Sequence, residues 1–295
     1  MYGIFQVLIK EGYFLELIEF IKAIILGIVE GITEWLPISS TGHMILVDQF
    51  LVLNTTDAFK DMFFVVIQLG AILAVVVMYF KRLIPFTLKG GFKLDMDKIS
   101  MWLKILVASI PAGVVGILFD DVFTRLFYNY QTVAIMLILF GILFIIVENK
   151  NRNQIPIVKS IDRINYRLAF AIGVFQLIAA VFPGTSRSGA TIVGALMLGV
   201  SRTVATEFTF FLAIPAMFGA SALKMGKFFM NGQVMSGSEI GILLTGMIVA
   251  FVVSILAINF LVGYIKKNDF KAFGWYRIVL GIIVLLYFLL TSYIL

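Results

Sequence analysis

The sequence contains no cysteine and a single histidine, His43, among 295 residues. The missing cysteines exclude disulfide bonds and thiol chemistry, although they do not identify a compartment. Charged residues are also scarce, at 14% of the chain against 61% hydrophobic residues, and the mean hydropathy is +1.05. Because a soluble domain of this length needs far more polar surface, the composition predicts an all-α polytopic membrane protein.

The few charges are biased towards basic residues, with a formal net charge of +6. Basic chains can bind nucleic acid, but these charges lie in short loops between apolar runs, so we expect them to set the orientation in the membrane and predict no nucleic-acid partner. Lys10 and Glu11 interrupt the N-terminal segment, which lacks a small-residue cleavage site, and we expect no cleavable signal peptide.

Six stretches have the roughly 20 apolar residues that a transmembrane helix needs. They cover residues 62–80, 101–119, 132–148, 208–226, 240–264 and 273–294. Two further apolar regions, 14–53 and 168–200, are broken near the middle by polar clusters that contain Pro37 and Pro183. Each region is too long for one transmembrane span, and its central break is too polar for the region to form two ordinary spans. We therefore predict two re-entrant helix–loop–helix hairpins, whose irregular backbone is covered by protein or lines a water-filled cavity.

Lysine and arginine are distributed unequally over the connecting segments. One set of segments carries 14 of these residues and the other set carries five. The basic set is 81–100, 149–167, 201–207 and 265–271, and the other is 1–13, 54–61, 120–131 and 224–239. The positive-inside rule makes the basic set cytoplasmic and places both termini outside.

The two broken regions resemble each other. A shift of 146 residues aligns GIVEGITEWLPISSTG with GVFQLIAAVFPGTSRS. The aligned pairs are Glu30 with Gln176, Pro37 with Pro183, and Ser40 with Ser186. Because three spans separate the hairpins, we predict inverted-topology repeats, residues 14–148 and 160–294, within one integral membrane domain covering 1–295.

The first break carries two carboxylates and a cluster of hydroxyls. Glu30 and Glu34 are four residues apart, so a helix projects both from one face, and charges at membrane depth usually line a cavity or a pathway. An alternative is that they only pair with basic residues. The residues Ser39, Ser40, Thr41, Gly42 and His43 follow the proline. One hydroxyl, that of Ser39, is a candidate helix cap, and the pKa of histidine suits His43 to proton exchange.

The second break, PGTSRSGAT, has the composition of an anion site. Gly184 and Gly189 allow tight turns, Thr185, Ser186 and Ser188 offer hydroxyls, and the fork of Arg187 matches phosphate oxygens. Helices that begin after both breaks would aim free N–H groups at the same anion. Arg187 neutralising Glu30 or Glu34 is the simpler interpretation. The ensemble favours phosphoryl transfer, with a divalent cation, magnesium or calcium, on Glu30 and Glu34.

The motifs EGITEWLPISSTGH and PGTSRSGAT resemble the two signatures of the bacterial undecaprenyl-diphosphate phosphatases, the bacitracin-resistance family, and the likeness extends to VIQLGAILAVVV and GVSR. The resemblance implies hydrolysis of a polyprenyl diphosphate lipid to the monophosphate, a divalent cation, a homodimer, the bacterial inner membrane and resistance to bacitracin. With the sidedness above, the site opens to the outer, periplasmic side. The family positions in this sequence are Glu30, Glu34, Ser39, Ser40, Thr41, His43, Ser186 and Arg187.

The sequence is compatible with three nucleophiles for the attack on phosphorus. We favour Ser40, with Glu34 moving protons, Arg187 holding phosphate and His43 steadying the leaving or attacking oxygen. His43 itself, through a phosphohistidine, and direct attack by water are the rivals.

Two other classes of protein share features with this sequence. Lipid phosphatases that resemble phosphatidic acid phosphatase type 2 need a second histidine, which this chain lacks. A transporter or lipid flippase shares the inverted-repeat architecture, but transport does not require the cluster of hydroxyls, histidine and glutamates.

Overall fold

The computed structural model describes residues 2–87 and 93–294, and the side chains in these ranges except those of residues 2–14, 87, 120 and 292–294. Helices make up most of it. They are α1 (Tyr2–Thr33), α2 (Ser40–Asp48), α3 (Asp57–Val66), α4 (Gln68–Met78), α5 (Phe80–Leu83), α6 (Met96–Phe127), α7 (Tyr130–Asn151), α8 (Tyr166–Val181), α9 (Arg187–Met197), α10 (Arg202–Met230), α11 (Gly237–Ile265) and α12 (Lys271–Ile294). A short antiparallel pair joins β1 (Phe86–Thr87) to β2 (Lys93–Leu94), and Ile161–Arg163 form a 3₁₀ turn.

Within the described residues, six helical stretches are long and apolar enough to cross a membrane. They are Asp57–Met78, Met96–Phe119, Tyr130–Asn151, Arg202–Met230, Gly237–Ile265 and Lys271–Thr291. Each overlaps one predicted span, which confirms an all-α polytopic membrane protein. The helices begin before the predicted positions because polar caps start them. Thr56, Asn129, Ser201 and Ser236 each accept a hydrogen bond from a main-chain N–H of the first turn.

The two broken regions each fold back on themselves. The chain after α2 returns to α1, where Lys22 Nζ donates to the carbonyl of Val52 at 2.6 Å. The chain after α9 returns to the segment that precedes α8, where the main-chain N–H groups of Ile157 and Val158 both donate to the carbonyl of Gly199. The break in α1–α2 therefore lies deep in the bundle, because 11 residues of helix, about 16 Å, separate Lys22 from the end of α1 at Thr33.

The four basic segments meet at one end of the bundle, as the sequence predicts. Buried Glu148 at the end of α7 accepts hydrogen bonds from Arg202 on α10 and from the main-chain N–H of Phe270 before α12. Arg82 on α5 forms an ion pair with Glu207 on α10. These contacts tie the ends of four helices together and keep the basic segments on a common face.

The contacts between helices follow the same pattern in both halves of the chain. Helix α1 packs along α11, and its counterpart α8 packs along α6. Likewise α4 contacts α11 while α10 contacts α6, and the last helices of the two halves, α7 and α12, pack against each other. The halves are therefore intertwined, with each broken pair lying against a helix of the other half.

Glycines allow these crossings to be close. A Cβ atom at Gly70 on α4 would lie 2.0 Å from the carbonyl oxygen of Met247 on α11, and one at Gly173 on α8 would lie 2.1 Å from that of Ala108 on α6. Both obstacles are main-chain atoms, which cannot rotate away. Close backbone approach through small residues is a common way to pack membrane helices, since lipid removes most of the hydrophobic driving force.

We predict that Gly70→Ala and Gly173→Ala each lower the free energy of unfolding by about 2 kcal/mol, because the added methyl group must push two helices apart. Thermal unfolding in detergent micelles measures this. Gly219→Ala on α10 is the matched control, because nothing lies within 4 Å of a Cβ atom there. Equal melting temperatures for all three variants would contradict the prediction.

Candidate active site

The two breaks have the same local geometry. Ser39 and Ser186, with φ of 74° and 68°, are the only residues other than glycine with positive φ in the described part of the chain. Each precedes a helix and accepts a hydrogen bond through its side chain from a main-chain N–H three residues on, that of Gly42 or Gly189. Left-handed conformations of this kind cost free energy and cluster at functional sites.

The structural equivalence differs by one residue from the sequence alignment. The alignment pairs Ser186 with Ser40, but the shared cap geometry pairs it with Ser39. The second loop has an additional residue after its proline, where Gly184 takes the left-handed conformation with φ of 88°. An alignment without gaps cannot represent this residue. The correction makes Ser40 and Arg187 equivalent, since each is the first residue of its helix.

These two equivalent residues bind the same carboxylate. Ser40 Oγ donates to Glu34 Oε2 at 2.8 Å, and Arg187 Nη2 donates to Glu34 Oε1 at 2.9 Å. Ser188 Oγ also donates to the main-chain oxygen of Glu34 at 3.2 Å. Glu34, one residue beyond the end of α1, therefore joins the two loops through both its side chain and its main chain.

Glu30 lies one turn before Glu34 and is also buried, with 1% of its surface exposed. Its Oε1 atom has no hydrogen-bond partner among the described residues. Arg187 balances the charge of Glu34, so a second negative charge on the buried Glu30 would require a proton or a further cation.

Arg187 is held in place from the side of the second loop. Its Nη1 donates to the carbonyl of Thr209 on α10 at 3.2 Å, and the Thr209 hydroxyl hydrogen-bonds that of Thr191 at 2.9 Å. A guanidinium has five N–H donors, and the contacts to Glu34 and Thr209 occupy two of them. Arg187 therefore keeps donors for a further anion.

His43 lies beside this network and makes its hydrogen bonds elsewhere. Its Nδ1 is 2.8 Å from the carbonyl oxygen of Ser39, and its Nε2 is 2.6 Å from the hydroxyl of Tyr276 on α12. Tyr276 has no signal in the sequence, because nothing distinguishes it from the other aromatic residues in an apolar helix.

The other predicted residues line the same loops. Thr185 is fully buried, and its Oγ1 has no hydrogen-bond partner among the described side chains and backbone. The Ser186 and Ser188 hydroxyls lie 3.2 Å apart, and Thr41 is partly exposed at the first turn of α2. The oxygen atoms of Ser39 and Ser186 already serve as helix caps, so their immediate role is to fix the two helix starts.

Arg277 is a site residue that the sequence interpretation missed. It is fully buried on α12 and donates to carbonyl oxygens of both loops. The acceptors are Pro37 at 3.3 Å from Nη1, and Gly184, Thr185 and Met136 at 2.9, 2.8 and 3.3 Å from Nη2. Its signal was available, because an arginine inside an apolar span is by default a functional residue.

The described residues provide only part of a metal site. No group of three or more histidine, aspartate or glutamate side chains that could hold an ion occurs in the part of the chain that the structure describes. Glu30 and Glu34 supply carboxylate oxygens, and the unpartnered Oε1 of Glu30 is free to bind. Such a pair fits a hard divalent cation that completes its shell with water and substrate phosphate, the usual arrangement for magnesium.

Comparison with known proteins gives consistent matches. The family model described as bacitracin resistance protein BacA matches residues 23–283. The undecaprenyl-diphosphatase of Desulfitobacterium hafniense is 69% identical, over 92% of this chain and 97% of the relative. Undecaprenyl-diphosphatase 1 of Clostridium acetobutylicum is 67% identical, over 94% and 100%. The undecaprenyl-diphosphatase of Enterococcus faecalis is 57% identical, over 92% and 98%.

We predict that Arg277→Lys lowers both the melting temperature and the enzymatic turnover, the latter at least tenfold. An ammonium group is a compact charge that cannot span carbonyls of two loops as a planar guanidinium does, and unpaired buried carbonyls cost about 1–3 kcal/mol each. Thermal unfolding and phosphate release measure the two effects. Arg167→Lys, at an exposed position on α8, is the control. Wild-type stability in Arg277→Lys would show that the loops do not depend on this side chain.

Proposed function

Because the chain belongs to the bacitracin resistance protein BacA family, we propose that it hydrolyses undecaprenyl diphosphate to undecaprenyl phosphate and inorganic phosphate where its two loops meet. The product is the lipid carrier of cell-wall glycan precursors, and its regeneration explains resistance to bacitracin, which competes for the diphosphate. One observation carries the assignment to this site. The Glu34 carboxylate binds a serine hydroxyl from one loop and a guanidinium from the other.

The architecture that we propose is a pair of inverted repeats with two re-entrant hairpins, α1–α2 and α8–α9. Three features support it: each broken pair returns to its own starting end, the helix contacts repeat when the halves are exchanged, and both loops have the same left-handed cap. An odd number of spans between the hairpins then brings the loops together from opposite faces.

The diphosphate head group binds between the first turns of α2 and α9. Ser40 and Arg187 begin these helices, whose first N–H groups lack helical partners and, with the helix dipoles, attract anions. The remaining donors of Arg187 fit phosphate oxygens in a planar, bidentate manner. Thr41, Thr185 and Ser188 supply hydroxyls around the same head group.

In the first chemical step, Ser40 Oγ attacks the terminal phosphorus atom. Its proton passes to Glu34 Oε2, which already accepts that hydrogen at 2.8 Å, and the bond to the bridging oxygen breaks so that undecaprenyl phosphate leaves. Water then hydrolyses the phosphoserine and releases phosphate. Arg187 stabilises the charge on the transferred phosphoryl group throughout.

Ser40 is a better nucleophile candidate than His43 in this arrangement. Its hydroxyl hydrogen points at a carboxylate, which is the geometry of an activated nucleophile. The Nε2 atom of His43 instead contacts Tyr276 at 2.6 Å, and Nδ1 contacts Ser39. Neither ring nitrogen is free to attack phosphorus without losing a hydrogen bond.

A divalent cation on Glu30 and Glu34 completes the proposal. Arg187 forms an ion pair with Glu34, whereas Arg277 donates through Nη1 and Nη2 to carbonyl oxygens. An incoming diphosphate therefore adds negative charge that the described side chains do not balance. When bound, the cation neutralises this charge and polarises the phosphoryl oxygens.

We propose that the site opens to the outer face of the bacterial inner membrane. The positive-inside rule assigns the end of the bundle at which the basic segments meet to the cytoplasm. The α1–α2 hairpin returns to the opposite end, which supports an opening on the outer face. The absence of cysteine makes a direct test simple. An impermeant thiol reagent added to whole cells should label a cysteine at Gln233 and spare one at Arg152.

The homodimer implied by the family resemblance is assigned to α6. This helix is the least buried of the six candidate spans, and no atom lies within 4 Å of a Cβ atom placed at Gly113 or Gly116. Small residues on an open face allow close packing of two helices in lipid. A cysteine at Val114 should form an intermolecular disulfide in membranes, and failure to form it would exclude this face.

We predict that Ser40→Ala lowers phosphate release from undecaprenyl diphosphate by about 1,000-fold or more, because removal of a nucleophile eliminates the covalent route. The purified protein in detergent with magnesium is assayed, and the phosphoenzyme is trapped by acid quenching with labelled substrate. Ser109→Ala is the control, because that hydroxyl bonds only to the Ile105 carbonyl of its own helix. Near-normal turnover in Ser40→Ala, or an acid-labile phosphoenzyme, would exclude attack by serine.

We predict that Glu30→Gln raises the concentration of magnesium needed for half-maximal activity by at least tenfold, since the variant keeps the size of the side chain but loses a ligand charge. Titration of the chelator-treated protein with magnesium measures this. Glu239→Gln is the control, because that carboxylate caps α11 at the surface. An unchanged requirement for the cation would remove Glu30 from the metal site.

A further inference from the structure

The two ring nitrogens of His43 have partners of different kinds. Nδ1 faces the carbonyl oxygen of Ser39 at 2.8 Å. A carbonyl can only accept a hydrogen bond, so Nδ1 must carry a proton. In a neutral imidazole Nε2 is then a bare acceptor, and it lies 2.6 Å from the Tyr276 hydroxyl, which donates its hydrogen. The contacts therefore select one of the two neutral tautomers.

Tyr276 is held in position by more than this hydrogen bond. Its ring lies nearly parallel to the imidazole, with an interplanar angle of 8° and centroids 5.6 Å apart. The next residue, Arg277, is fully buried and bound to both loops. Tyr276 itself is 46% exposed, so its hydroxyl and His43 Nε2 lie where water and a substrate head group can reach them.

We propose that Tyr276 is a positioning residue for the second half of the reaction, an inference that rests on the proposed phosphatase function. Together with the Ser39 carbonyl, its hydroxyl keeps His43 in the tautomer with a proton on Nδ1 and leaves Nε2 without a proton. Nε2 is then ready to accept a proton when the phosphoserine is hydrolysed.

The second half of the reaction balances with these groups. The oxygen of water bonds to phosphorus, one of its protons passes to His43 Nε2, and the bond between phosphorus and Ser40 Oγ breaks. Ser40 Oγ recovers a proton from Glu34, which took one in the first half. The Tyr276 hydroxyl releases Nε2 to the water in this step, and the Ser39 carbonyl stabilises the imidazolium through Nδ1. The imidazolium then gives its proton to the departing phosphate, and the Tyr276 hydroxyl donates to the bare Nε2 again.

The single histidine makes the tautomer directly observable. In protein labelled with ¹⁵N-histidine, the spectrum contains one imidazole, and its two nitrogen shifts distinguish a protonated from a bare nitrogen. In detergent micelles at neutral pH, we expect the wild type to show a protonated Nδ1 and a bare Nε2. Tyr276→Phe should show a smaller fraction of this tautomer, because Nε2 loses its hydrogen-bond donor and only the Ser39 carbonyl still favours a proton on Nδ1.

Tyr287→Phe is the matched control, since Tyr287 lies on the same helix and its ring contacts those of Phe50 and Phe288. It should leave the spectrum and the turnover unchanged. A wild-type spectrum with the proton on Nε2, or an unchanged tautomer population in Tyr276→Phe, overturns the inference whatever the activity. This readout needs no catalysis, so its failure is distinguishable from failure of the proposed function.

Kinetics provide the second readout. Tyr276→Phe should lower kcat about tenfold, the size of a lost orienting hydrogen bond, with KM changed less than twofold. Rapid-quench experiments should show the phosphoserine accumulating, because only its hydrolysis is slowed. A higher KM with normal kcat would instead make Tyr276 a substrate-binding residue, and equal slowing of both halves would make it structural; either result overturns the proposal.

Discussion

Everything in the site depends on one buried guanidinium. Arg277 donates to the carbonyls of Pro37 and Gly184, so it connects two loops that are far apart in the sequence. These loops are irregular, and carbonyl oxygens in irregular backbone need donors when no water reaches them. The arginine satisfies them and at the same time connects the loops that lead into α2 and α9.

Once the two loops are connected, short segments of chain bring the polar groups of the candidate site together. Glu34 follows α1 directly, Ser40 and Arg187 begin α2 and α9, and the Glu34 carboxylate contacts both of them. Preorganisation of this kind is the main source of catalysis in phosphoryl transfer, where the protein positions groups and stabilises charge. The glycine contacts between helices serve the same end, because they prevent the two halves from sliding.

Hydropathy predicted the six spans and the two breaks because long apolar runs have few alternatives in a bilayer. The motifs likewise identified Glu30, Glu34, Ser40 and Arg187, because charges and hydroxyls are conspicuous in such a chain. The contact between His43 and Tyr276 was beyond prediction, since it joins positions 233 residues apart through an ordinary aromatic. The additional loop residue at Gly184 was also beyond prediction. It shifts the alignment of the two loops by one residue, and this shift is visible only in the backbone conformation.

The two helix starts have the same backbone geometry but different side chains, Ser40 on α2 and Arg187 on α9. If the two halves were identical, both helices would begin with serine or both with arginine, and each loop would carry a glutamate. Neither arrangement offers one carboxylate to both a nucleophile and a cation. The difference in side chain between Ser40 and Arg187, rather than the likeness of the two loops, therefore gives Glu34 its two unlike partners.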